Sequence, residues 1–330
     1  MSVSIQNARF VIDETPYCLW DDDIRQRNLD FLDSIDPGYF EHVANLHGES
    51  LEGDEKQYAA TALRVAHFQG LETVFALLCA AIQAPDCVVG WLSMYQNKEL
   101  YEVVRKINAW GGVGVYTKLR DKDITWDAVA KLVYSGLRTG DDDKDAQIKK
   151  DFGRLWSRFS YDLIDSKNRY EYNSIKHGLR ARMGGFHLAM GLEDTPGVPA
   201  PPEKMRTVAS SDFGSSFFVP ERLHDRRNFA IKRQSVNWDP QNLIYALGLI
   251  GLSIGNVIAF FKSLYGLSPS EVKYSWCTDE STYDEPWTRK HGSAFAIAWN
   301  SRVTEAAVTP LTKDEILAVY EEDDDEAEKP

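Results

Sequence analysis

The sequence predicts a mainly α protein, a helical bundle with a small β-hairpin insertion, and three observations carry that expectation. Apolar residues recur at three- and four-residue intervals along much of the chain, as in Ile148, Phe152, Leu155, Phe159 and Leu163. The run Leu243 to Phe261 holds nineteen residues without a charge, the mark of a helix enclosed on nearly every side. Strand-like texture is confined to the stretch between Gly184 and Trp238, where Met205–Ala209, Ser215–Val219 and Asn228–Val236 are separated by Pro- and Ser-rich loops. With 330 residues, 43% hydrophobic and 26% charged, the chain is neither a disordered polymer nor a small disulfide scaffold.

The elements follow in order. Asp21 to Ile35 reads as a helix with an acidic start, broken by Asp36-Pro37-Gly38, and Tyr39 to Leu46 as a short second one. Asp54, with Gln57 three residues on, opens a long helix carrying Leu63, Ala66, Val74, Leu77, Leu78 and Ala81, which Ala84-Pro85 ends. Further helices are expected at about 88–95, 98–109 and 126–137, then from about 148 to 163 and from 168 to 183. Gly111-Gly112-Val113-Gly114 reads as a turn, without the strand and helix that flank a phosphate loop. Asp239-Pro240 starts the charge-free helix, in which Gly251 and Gly255 share a face that a neighbouring helix can approach closely. Ser268-Pro269-Ser270-Glu271 and Thr312 with Glu315 read as capping boxes opening two more helices. The expected organisation is an acidic helical extension over 1–53, a helical domain over 54–319 with a β insertion at about 184–238, and an acidic disordered tail over 320–330.

Charge is segregated. The net charge is −13, which on average repels nucleic acid and anionic membranes. From Asp13 to Glu55 there are thirteen acids and two bases, whereas Gln147 to Arg182 carries nine bases and four acids, and Arg222 to Arg233 five bases and one acid. A local polyanion site is therefore compatible with an acidic chain. Cys18, Cys79, Cys87 and Cys277 form no C-x-x-C pair, and the first residues lack the basic start and apolar core of a secretory signal, so a reducing, cytoplasmic setting is expected. Leu243–Phe261 approaches the ~20 residues that span a bilayer. Its glycines, Ser253 and Asn256 favour a buried helix of a soluble protein and no membrane contact.

The string Asn173-Ser174-Ile175-Lys176-His177-Gly178 carries the most chemistry. At 3.6 residues per turn Arg169, Asn173 and His177 fall in line, with Lys176 and Arg180 within about a quarter turn of them. Ile175, Leu179 and Met183 form an opposing apolar stripe. One helix face would then display an imidazole, an amide and several cations. Glu72, in the row Gln69, Glu72, Ala76 and Gln83, is expected to face this helix as an ion-pair partner or to stay partly exposed. His42 and His47, five apart, miss the spacing of a helical metal pair, and neither a metal nor a cofactor is expected.

On these residues the chain resembles the HEPN superfamily of helical bundles, many of whose members are metal-independent endoribonucleases of bacterial defence and toxin–antitoxin systems. The family signature is Arg, a polar residue, variable positions and His. Four to six residues separate Arg and His there, and seven separate Arg169 and His177 here. The resemblance covers 168–261 and the long helix over 54–84, and it implies His177, Asn173 and Arg169 as catalytic residues. His177 would take the proton of a ribose 2′-hydroxyl, and Asn173 would orient the phosphate or the imidazole. Arg169, Lys176 or Arg180 would stabilise charge on the phosphorane, and Lys176, Arg180 and Arg182 would bind RNA. It also implies a homodimer in which two basic faces enclose a strand. The competing class is a non-catalytic interaction protein that uses the same bundle to dimerise or to hold a protein partner.

Overall fold

A computed structural model describes residues 5–109, 124–225, 227–288, 296–299 and 303–318. The Gly111–Gly114 turn, Arg226 and the acidic tail over 320–330 lie outside the described residues. Of the described residues 55% are helical and 17% lie in strands, so the protein is mainly α. The chain divides into two units, Met1–Tyr172 with Asp239–His291, and Asn173–Trp238 with Gly292–Pro330.

The first unit opens with an antiparallel hairpin that the sequence reading missed, β1 (Gln6–Ile12) and β2 (Thr15–Asp21). Its two-residue loop is Asp13-Glu14, with Asp13 at φ +52°, and it lacks the Asn-Gly or Asp-Gly signature that marks such turns. Buried Gln83 holds the loop from the far side: its Oε1 accepts the Asp13 N–H and its Nε2 donates to the Asp13 carbonyl, both at 3.0 Å. Next come α1 (Ile24–Asp33), capped by the Asp23 carboxylate on the Gln26 N–H, and α2 (Gly38–Gly48).

Helix α3 (Lys56–Gln83) runs 28 residues, and nearly every side chain from Leu71 to Gln83 is buried. No side chain caps its start, so the expected Asp54 cap is replaced by Glu55 without a side-chain bond. Short α4 (Val88–Met94), α5 (Asn97–Asn108) and α6 (Trp126–Val133) pack beside it, and α7 (Asp142–Ile164) buries the predicted stripe Ile148, Phe152, Leu155, Phe159 and Leu163. The first seven residues of α8 (Ser166–Lys176) also belong to this unit.

Helix α9 (Pro240–Leu264) is the charge-free run, entered through Asp239, whose carboxylate accepts the Gln241 N–H at 2.9 Å. It packs most extensively against α3, the long helix that carries Glu72, and next against α2. Two of its buried polar residues, Ser253 and Asn256, are satisfied inside the unit, while Asn242 keeps a buried Oδ1 with no hydrogen-bond partner among the described residues. Ser253 Oγ donates to the Leu249 carbonyl and accepts from Trp156 Nε1, and Asn256 bonds the Tyr134 hydroxyl and both backbone groups of Ser275. The face of Gly251 and Gly255 is approached closely by a neighbouring helix, as expected, and that helix is α2. A Cβ on Gly251 would lie 2.7 Å from the Pro37 carbonyl oxygen at the start of α2, while the close approach to α3 runs through Gly70, whose Cβ would lie 2.6 Å from Ile250 Cγ2. Both α3 and α9 are long and apolar enough to cross a membrane, with 78% and 72% of their most apolar windows buried within the chain. The sequence reading had found only the second. The box at Ser268 forms its bonds to Glu271, yet the chain makes a single turn there and no helix follows. A short α10 (Glu285–Thr288) lies near α9.

In the second unit, β3 (Ala181–Met183), β6 (Gly214–Arg222), β7 (Phe229–Asn237) and β8 (Ala296–Trp299) make an antiparallel sheet in the order β3-β6-β7-β8. A separate pair joins β4 (His187–Met190) and β5 (Arg206–Ser210). The three strands read from the sequence correspond to β5, β6 and β7. Asn237 ties the two pieces together by clasping Phe186, accepting its N–H and donating to its carbonyl, each at 2.9 Å. The β6–β7 loop is set by Asp225, which accepts the N–H groups of Arg227 and Asn228, and these donors hold its carboxyl down at about 2. Residues 313–318 are helical, with Thr312 and Glu315 exchanging the bonds of the expected capping box.

Two α9 glycines separate helix propensity from packing. Gly248 is exposed with nothing within 4 Å of an added Cβ, so Gly248→Ala should stabilise the protein by about 0.5–1 kcal/mol. Gly251→Ala meets backbone rather than a yielding side chain and should cost about 1–3 kcal/mol. Urea denaturation of the two variants reads the opposite signs directly.

Candidate functional site

Helix α8 is polar along most of its length, and what fixes it is a narrow buried edge. Asp165 starts it by accepting the Lys167 N–H at 2.8 Å. Glu171 is fully buried, and Tyr172 and Ile175 are nearly so. Arg64 of α3 donates to Glu171 Oε2 from Nε (3.1 Å) and Nη2 (2.6 Å), and Nη2 also reaches Asn168 Oδ1 at 3.1 Å. Its guanidinium lies 4.4 Å from the centroid of Phe68, and the Tyr172 ring centroid lies 5.2 Å from that of Phe68. A buried ion pair with satisfied geometry thus pins the first part of α8 to α3.

The predicted residues divide between the units. Arg169 belongs to the first, half-buried, its guanidinium 4.9 Å from the Tyr101 ring centroid. Tyr101 in turn donates to Glu72 Oε1 at 3.0 Å, as does Asn97 Nδ2. The Tyr172 phenol also bonds Glu72, so Glu72 does face α8, through a tyrosine hydroxyl rather than a cation. Burial first, and then the Glu72 charge, raise the phenols of Tyr101 and Tyr172, and push Tyr95 up to about 12. Sequence reasoning found Glu72 but missed Tyr95, Asn97, Tyr101 and Tyr172 around it, because the α4–α5 connection, α5 and α8 supply them separately.

Asn173, Lys176, His177, Arg180 and Arg182 belong to the second unit, and all five are exposed. The helix expected to run to Met183 stops at Lys176. The His177 N–H still bonds the Asn173 carbonyl at 3.1 Å, so His177 keeps its place one turn beyond Asn173. Then Gly178 (φ +102°) and Leu179 (φ +53°) take left-handed conformations and turn the chain into β3. The turn is closed by the Leu179 N–H on the Ile175 carbonyl (3.0 Å) and the Arg180 N–H on the Ser174 carbonyl (2.6 Å). Of the expected apolar stripe only Ile175 is buried as read. Leu179 is 69% exposed and Met183 sits in β3. A leucine held left-handed costs about 1–2 kcal/mol, strain stored beside the candidate histidine. Arg182 lies in β3 opposite Ser216.

Two groups near Arg64 titrate in opposite senses. His67, enclosed by Phe68 and Phe159, has its pKa lowered to about 3 by desolvation and then by the Arg64 charge. Desolvation pushes Asp162 up to about 6 against the pull of Arg64 and a bond from Trp287. The lowered histidine makes folding less favourable as pH falls from about 6.5 toward 3. The raised carboxyl makes it less favourable as pH rises from about 4 to 6. Relative to wild type, His67→Leu should therefore gain stability as pH falls through that window, and Asp162→Asn as pH rises through it. Each difference should approach about 1.4 kcal/mol per pH unit where only the unfolded-state form titrates. Denaturation series at pH 4.5, 5.5 and 6.5 test the crossing, and parallel profiles would refute it.

Among the described residues no group of three or more His, Cys, Asp and Glu side chains is placed to hold a metal ion. All four cysteines are free, and burial raises the thiols of Cys79 and Cys87. No protein-family model, no curated protein and no solved structure matches this chain.

Proposed function

We propose that this chain is a HEPN-like helical-bundle protein that binds RNA and cuts it without a metal, working as a cytoplasmic homodimer in bacterial defence or as a toxin. The observation that supports the reading best is the turn after α8. It presents His177 to solvent between Asn173 and Lys176 on the helix side and Arg180 and Arg182 on the strand side. A free imidazole flanked by cations is the minimal apparatus for attack by a ribose hydroxyl on its own phosphate. His177 takes the 2′-hydroxyl proton, the 2′-oxygen bonds to phosphorus, and the bond to the 5′-oxygen breaks. A 2′,3′-cyclic phosphate remains, and the leaving oxygen takes a proton from water. Lys176, Arg180 and Arg182 bind the phosphates, Asn173 orients the imidazole, and Arg169 is the arginine of the signature by sequence order.

A second reading, an interaction protein that cuts nothing, draws support from the β4–β5 pair and its loop. There Met190 is 62% and Leu192 89% exposed, and Val208 is 43% exposed, an apolar surface suited to a protein partner.

Incubating the full chain with a labelled single-stranded RNA in EDTA decides between them. The expected result is cleavage leaving cyclic phosphate ends, slowed about 10²–10⁴-fold by His177→Ala at an unchanged melting temperature. Binding should be weakened by salt and by Lys176→Ala or Arg180→Ala. Cleavage by His177→Ala at the wild-type rate would overturn the assignment of His177 as the base, and an intact RNA in every lane would leave the interaction reading. Light scattering of the same preparation measures whether the particle is a dimer.

A further inference from the structure

We infer that the open face of the four-stranded sheet in the second unit is a stacking platform for single-stranded nucleic acid. This rests on the RNA reading above and gives it a substrate form, an unpaired strand. Residues paired across antiparallel strands project to one face, and alternate residues along a strand share that face. The register therefore lays out rows. Arg182 pairs with Ser216, Ser216 with Ser235, and Ser235 with Ile297. The next row on the same face is Phe218, Arg233 and Trp299, followed by Pro220 with Ile231 and then Arg222 with Phe229.

The two faces have opposite character. Phe217 and Val219 alternate to the inner side and are buried, at 1% and 4% exposure. On the outer side Phe218 is 63% exposed, Trp299 60% and Phe229 51%, and all three arginines are exposed. The one acid in the four strands, Glu221, alternates to the inner side with Phe217 and Val219. A protein of net charge −13 thus gathers three guanidinium groups among three bare aromatic rings with no carboxylate in those rows.

That combination fits one occupant. Aromatic rings offer bases a π-face, and guanidinium groups between them take phosphates or stack in turn. Phe218 and Trp299 flank β7, so their strands are about 10 Å apart, twice the ~4.8 Å strand spacing, with Arg233 between them. A duplex hides the base faces that these rings would stack upon. A protein partner seated on the face would have to bury three arginines that have no ion-pair partner among the described residues, an expensive step unless it brought matching carboxylates.

The test uses the full chain, a fluorescent mixed-sequence RNA of about twenty nucleotides, the DNA strand of the same sequence, and the RNA duplex, with binding read by anisotropy across a salt series. Wild type should bind both single strands more tightly than the duplex. Phe218→Ala and Trp299→Ala, both on exposed side chains, should each weaken single-strand binding about five- to hundredfold while leaving the salt slope unchanged. Arg233→Gln should lower that slope by about 0.7. Wild-type affinity in the Phe218→Ala/Trp299→Ala double variant would overturn the inference, and so would equal binding of duplex or no binding of either strand. A dimer that falls apart on Phe218→Ala while RNA binding stays unchanged would also overturn it, by assigning the face to a second copy of the chain. Cleavage chemistry is judged separately: loss of the His177 reading with retained, ring-dependent binding leaves the platform in place.

Discussion

An α-helix with no polar side cannot face water anywhere along its length without losing the free energy of apolar burial. The run Leu243–Phe261 imposes that constraint on the first unit, and α3 imposes it a second time from Leu71 onward. Each helix supplies much of the cover the other needs, meeting where Gly70 lets Ile250 approach. Further cover for α9 comes from α2, whose start lies against Gly251, and from α10 and α6, while Trp156 of α7 bonds Ser253. Short helices around a long central pair are what this constraint produces, since no single neighbour closes all sides.

The same enclosure dictates how polar groups behave inside. Asn256 and Ser253 have every strong donor or acceptor engaged, as buried polar atoms require. Arg64 and Glu171 enter the interior together, each neutralising the field the other would leave. His67, one turn from Arg64, holds a buried Nδ1 without a hydrogen-bond partner among the described residues, and desolvation together with the Arg64 charge keeps it neutral. Helix α8 is positioned by this polar contact more than by apolar area, which is why a helix with so few buried side chains is fixed at all.

Legibility in the sequence followed the physics of each element. The helices α3, α7 and α9 announced themselves because periodicity and absence of charge are local properties. The end of α8 was also written locally, in His177-Gly178, but the apolar spacing through Leu179 and Met183 suggested a helix seven residues longer than the backbone forms. The N-terminal hairpin lacked its usual turn residues and owes its place to Gln83, seventy positions away. The arginine–aromatic rows on the sheet depend on pairings between Phe218, Arg233 and Trp299, a register no window along the chain displays. Basic residues near Arg222 were visible as charge, while their alternation with exposed rings was not.

The clasp between Gln83 and the Asp13 peptide has a further meaning for the start of the chain. One side-chain amide offers Asp13 a carbonyl and an N–H at the same spacing a neighbouring strand would, so the hairpin loop is read by a helix terminus as though that terminus were a third strand. A slip of the hairpin by one residue would carry the Asp13 peptide away from Gln83 and swing Phe10 and Ile12 from the interior to the solvent face. The helix end therefore proofreads the alignment of β1 against β2. A chain shortened past Asp21 would lose that reader's text and strand a buried amide with neither of these partners.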